Sequence, residues 1–145
     1  MRHDDSHSFA DAAWRGAVAA MAMSGVRELT TSLGLVEKPP PEEIAEEGVP
    51  QLLAPVPAAY RDAAVELAHW GYGATMAVVF AGLPRRLRRR AWSGPAYGLA
   101  VWALFEAGVA PLLGLEPRGR RPPAERAAIA LDHVLYGVVV AGRSR

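Results

Sequence analysis

The sequence predicts an all-α chain: a four-helix transmembrane bundle made of two related helical hairpins, with both termini on the same side. Three observations predict it. Four apolar segments, about 12–36, 60–83, 92–115 and 124–141, are separated by proline-rich or charged connections. Each is interrupted by an ionisable residue at a similar depth, namely Glu28, His69, Glu106 and His133. Segments two and four also share the pattern H-x-x-Y-G, beginning at His69 and at His133.

The first segment is apolar apart from Arg15, Arg27 and Glu28, and a long loop over 37–59 follows it, acidic from Glu37 to Glu47. Segment two opens with Arg61 and Asp62 and carries Glu66 and His69 inside. Segment three has Glu106 as its only charge. Pro95 falls in its first turn, where proline is tolerated, whereas Pro111 near its end should bend or fray it. Segment four carries Asp132 and His133. At 1.5 Å rise per residue three segments reach roughly 35 Å and the fourth about 27 Å, against a hydrocarbon core of about 30 Å. Strands are not expected, because period-two alternation is absent and alanine dominates.

Duplication explains the order of features. Beyond the H-x-x-Y-G pair, segment one ends in Leu33-Gly34-Leu35 followed by Pro40, Pro41 and Glu43. Segment three ends in Leu113-Gly114-Leu115 followed by Pro122, Pro123 and Glu125. One hairpin copied into a second would produce both agreements in this order.

Composition narrows the function. The 145 residues suit one domain, 51% are apolar and the mean hydropathy of +0.07 is low for a membrane protein, so the placement of charge carries the membrane reading. A net charge of +1 argues against a nucleic-acid partner. The absence of cysteine excludes disulfides and thiolate metal sites. No secretory signal is evident at the N-terminus. The basic run Arg85–Arg90 and the terminal Arg143 and Arg145 outweigh Arg118, Arg120, Arg121 and Arg126. By the positive-inside tendency both termini are then cytoplasmic, in a bacterial inner membrane. Trp14, Tyr60 and Trp92 sit at span ends, where an interfacial aromatic belt belongs.

From His69 onward a further resemblance emerges. A helix containing Gly71-Tyr72-Gly73 is followed by Pro84 and a basic turn, then Gly94-x-x-Tyr97-Gly98. Next come Pro111-Leu-Leu-Gly-Leu115-x-Pro117 and a last helix with Asp132 and His133. The front half agrees through Ser24-Gly25-Val26, a charged residue and Glu28. The chain thereby resembles the YagU-like family of small bacterial inner-membrane proteins, and it lacks that family's longer first-loop insertion. The resemblance implies a four-helix integral membrane protein and no established reaction.

The expected site is the polar layer Glu28, His69, Glu106 and His133, supported by Arg27, Glu66, Asp132, Tyr72 and Tyr136. Charges and imidazoles within an apolar span are costly unless they meet partners, which makes them functional candidates. The spread in height is within roughly 6 Å at helical rise, so a single layer of Glu–His pairs is expected. One reading is a proton or cation pathway, since carboxylates and imidazoles at one depth can exchange protons. A second is a structural or adaptor subunit whose layer fixes packing, with the lipid bilayer, a second copy or another membrane protein as partner. A third is a metal site of di-iron type. Glu66-Leu-Ala-His69 is an E-x-x-H unit, and with Glu28, Glu106 and His133 it supplies candidate ligands; a fully matching set would need a carboxylate at Ala130. No cofactor is expected beyond such a metal ion.

Overall fold

The architecture follows from where glycine and alanine let the helices touch. The computed structural model describes residues 3–34, 41, 45, 48, 50–112 and 122–142, with backbone alone for residues 3–8. Helix α1 spans His3–Ser32, α2 is the turn Pro50–Leu53, and a 3-10 turn at Ala58–Tyr60 leads into α3, Arg61–Gly82. The short α4, Arg85–Arg88, joins α3 to α5, Ser93–Leu112, and α6 runs Pro123–Ala141. Among the described residues all regular structure is helical, and α1, α3, α5 and α6 are the four long helices.

Two boundaries differ from the sequence expectation. Helix α1 begins at His3, well ahead of position 12. No glycine or proline interrupts the chain before Gly16, so nothing in that stretch stops the helix. Within the expected 37–59 loop the chain forms α2 and the 3-10 turn, while most of 35–49 lies outside the described residues. In α5 the turn Phe105–Val109 is a π-helix, with the Ala110 N–H donating to the Phe105 carbonyl. Pro111 has no N–H for the carbonyl of residue 107, so the ladder ahead of it is already irregular and widens by one residue. The helix continues through Pro111 to Leu112, and residues 113–115 of the expected segment lie outside the described residues.

The basic run folds into α4. Arg88 Nε donates to the Leu83 carbonyl at 3.0 Å, and the Ser93 hydroxyl donates to the Arg88 carbonyl at 3.0 Å, which stitches the turn to both long helices.

Helices α1 and α3 pack antiparallel through Gly16 and Ala20 against Gly73 and Ala77; a Cβ built on Gly73 would stand 2.7 Å from that of Ala20. Helices α5 and α6 pack the same way, through Gly94 and Gly98 against His133, Gly137 and Ala141. A Cβ on Gly94 would lie 2.6 Å from the Gly137 carbonyl oxygen. Helix α6 also packs along α1. Across the middle, Tyr136 donates to the Gly73 carbonyl and Tyr97 to the Met76 carbonyl, each at 2.6 Å, and the Tyr97 and Phe80 rings lie 5.0 Å apart. The core is therefore small: Ala19, Met23, Ala77, Phe80, Tyr136 and Val140.

Large apolar side chains lie mainly outside. Trp14, Leu67, Val79, Leu104, Leu112, Leu131 and Val138, drawn from all four long helices, are exposed. Helix α5 is apolar apart from Glu106, and among the described residues it is the helix long and apolar enough to cross a membrane, with 17% of its apolar window buried. Helices α1, α3 and α6 fall short of that measure, because charged residues and histidines interrupt them. The four expected spans are thus one by length and composition.

Two glycine substitutions should separate close approach from mere helix propensity. Gly137→Ala places a methyl against the Gly94 carbonyl and should cost about 1–3 kcal/mol, as overpacking does. Gly71→Ala meets nothing within 4 Å and should gain about 0.5–1 kcal/mol from backbone entropy. Thermal unfolding followed by circular dichroism measures both; equal shifts would remove the packing argument.

Candidate functional site

The glycine contacts decide which polar residues turn inward. Arg27 lies 11 residues beyond Gly16, about 20° from its face at about 100° per residue, whereas Glu28 is turned away by about 120°. Arg27 is accordingly buried and Glu28 exposed. On α3, Glu66 and His69 lie within about 40° of Gly73.

A network follows from these faces. The Arg27 guanidinium pairs with Glu66 Oε1. The other carboxylate oxygen, Oε2, accepts from the Ser24 hydroxyl at 2.6 Å, and Trp70 Nε1 donates to that hydroxyl oxygen at 3.2 Å. His69 Nδ1 stands 3.5 Å from the same oxygen. A serine has one proton to give, and the short carboxylate contact takes it in preference to the Ala20 carbonyl at 3.2 Å. With Ser24 and Arg27 as its partners, Glu66 is held on both oxygens.

Helix α6 brings two more groups. His133 Nδ1 lies 2.9 Å from the Ile129 carbonyl, which can only accept, so Nδ1 carries the proton and Nε2 is the acceptor of the neutral ring. Asp132 shares a face with Ile129 and Tyr136, and its Oδ1 is buried with no hydrogen-bond partner among the described residues. The charge of Arg27 is felt at both His69 and Asp132, and His133 is within electrostatic range of His69.

These groups meet at a cavity of about 360 Å³. Arg27, His69, Tyr72, Asp132, His133 and Tyr136 line part of it. Met23, Val26, Val65, Val101, Phe105, Val109 and Ile129 are among the residues that make most of the remaining wall apolar, with Thr30 a polar exception.

Of the expected layer, His69 and His133 come together, joined by Arg27, Glu66 and Asp132. Glu28 and Glu106 do not line the cavity. Glu28 faces outward, and Glu106 is half-buried in the π turn beside Val101, Phe105 and Val109, the residues that give α5's share of the wall. Both glutamates lie 12 residues past the first glycine of their helix, about 120° off the packed face. Tyr136 spends its hydroxyl on the Gly73 carbonyl, and Tyr72 lines the cavity while partly exposed. Ser24 and Trp70 join the cluster although neither carries a charge that marks it in the sequence. Their signal was position, since Ser24 stands one turn before Arg27 and Trp70 one turn after Glu66.

The metal expectation is not carried by this arrangement. Among the described residues no three carboxylate or imidazole groups converge as ligands, and the candidates Glu28, Glu66, His69, Glu106 and His133 stay apart as a set. The reason is visible for two of them: Glu66 is committed to Arg27 and Ser24, and Glu28 points out.

No protein-family model, curated protein or solved structure matches the chain.

The ion pair supports a double-mutant test. Arg27→Met or Glu66→Leu alone strands its partner and should cost about 3 kcal/mol, while replacing both should recover most of that loss. Thermal melts of the four proteins measure the coupling, and additive losses would show that the pair contributes no coupling.

Proposed function

We propose that the chain is a small integral membrane protein whose inward-facing charged cluster moves or senses protons or cations. Three features support lipid as the surrounding solvent. Large apolar side chains lie on the outside of every long helix. The most apolar helix is mostly unburied, the opposite of a core helix in water. The helices meet through small residues, as helices in membranes do. The cytoplasmic side then holds both termini and the Arg85–Arg90 run, within a bacterial inner membrane. The YagU-like resemblance points the same way.

A duplicated hairpin accounts for the two glycine crossings. Aligning the H-x-x-Y-G patterns sets Glu66 against Ala130, and aligning Gly16 with Gly94 sets Arg27 against Phe105. On this alignment the second hairpin has neither member of the ion pair. Losing one alone would strand a buried charge.

The observation that carries the functional reading is the Asp132 Oδ1, which has no hydrogen-bond partner among the described residues and is set on one cavity with His69 and His133. A carboxylate oxygen with no such partner can take a proton or a cation, and neighbouring imidazoles can pass protons to and from it. The structural reading has its own observation. Arg27, Glu66, Ser24 and Trp70 satisfy one another and fix the register of α1 on α3. The two roles divide the cluster, with packing on the Arg27–Glu66 side and transfer on the Asp132 side.

Proteoliposomes test this division. Asp132→Asn and His69→Ala should each lower proton or cation flux at least tenfold, with Glu28→Gln unchanged. Unaltered flux in Asp132→Asn would overturn the proposal. For orientation, a reporter fused after Arg145 should remain on the cytoplasmic side, and its export would reverse the assignment.

A further inference from the structure

The cavity wall is divided by chemistry, and the division selects a ligand. Of the two charged side chains on its wall, Arg27 is already paired with Glu66, whereas the Asp132 Oδ1 is buried with no hydrogen-bond partner among the described residues. Three aromatic rings line the same space, Tyr72, Phe105 and Tyr136. A carboxylate among aromatic rings suits an organic cation, because ring faces attract positive charge most strongly where water is scarce. The remaining wall, with Val101 and Val109, is apolar and calls for a hydrocarbon body. At about 360 Å³ the space lies within the usual range of small-molecule cavities, toward its lower end.

We propose that this cavity binds a small lipophilic organic cation, its charged head against Asp132 and its body against the Phe105 side. The inference builds on the membrane-protein reading and names the cation that the cluster accepts. Asp132 then holds either a proton or the organic cation at a given moment. Such exclusion is the requirement for exchanging one for the other. Atoms balance simply: the arriving cation displaces the carboxyl proton, which leaves by way of His69 or His133, and no bond within the ligand changes.

The test uses the full chain in lipid nanodiscs, with empty nanodiscs as the reference. Benzyltrimethylammonium is the probe, and neopentylbenzene is its uncharged partner of nearly the same shape. Wild-type protein should bind the cation at least tenfold more tightly than the neutral compound. Asp132→Asn should abolish that preference, and Val109→Phe, which fills the apolar side, should weaken binding of both. A second measurement needs no variant: a hydrophobic carbodiimide should label Asp132, and the cation, not the neutral compound, should protect it. Equal binding of the two compounds, a preference that survives Asp132→Asn, or labelling the cation leaves unchanged would each overturn the assignment. The failures are separable. Proton flux lost in Asp132→Asn without any cation preference would overturn the ligand assignment and leave the proton reading standing. A preference lost in that variant with proton flux intact would support the ligand assignment and overturn the proton reading.

Discussion

At Gly137 the chain of α6 runs so close to the Gly94 carbonyl that only hydrogen fits between them, and Gly16 meets Gly73 in the same manner across α1 and α3. Close approach of this kind is a constraint on everything beyond it along each helix. It fixes which face is turned inward, and with it which residues one, two or three turns away must find partners there. Arg27 and Glu66 stand on those faces and pair; Glu28 stands off them and does not line the cavity. The charged cluster is a consequence of where the glycines are.

The same constraint explains the inverted distribution of side chains. Helices that meet through glycine and alanine leave little room between them for leucine, so the large apolar residues are displaced outward. What space remains inside is occupied by the ion pair, the Ser24–Trp70 contacts and a cavity, with Tyr97 and Tyr136 tying carbonyls across the gap. A water-soluble helical protein of this length would bury its leucines and valines first. Here glycine contacts and hydrogen bonds hold the interior, and large apolar side chains are left on the outside of each long helix, which is what the membrane-protein proposal rests on.

Much of the helical layout was legible in the sequence. Proline and charge marked both ends of α3 and α6 and the start of α5 within a few residues, because breakers act locally. The start of α1 was not legible, since its polar first turns carry no apolar pattern and nothing in them stops a helix. The site was half legible. His69, His133, Arg27, Glu66 and Asp132 all stood out as charge or imidazole in apolar surroundings, and depth along each span was read well enough to group them. Rotation was not. Depth changes by 1.5 Å per residue while facing changes by about 100°, so neighbours such as Arg27 and Glu28 share a level and point to different worlds. Counting from Gly16 and Gly94 would have supplied the rotation, and it would have set both Glu28 and Glu106 aside. The π turn at Phe105–Val109 follows from Pro111, whose effect was expected as a bend.

The membrane-protein proposal requires that the apolar side chains on the outside of the long helices lie in lipid. Fractionation of cells producing the full chain, with the membranes washed in alkaline carbonate, tests that condition directly. The account predicts that the protein stays in the washed membrane pellet and leaves it only with detergent. A monodisperse protein recovered from the aqueous supernatant without detergent would contradict it.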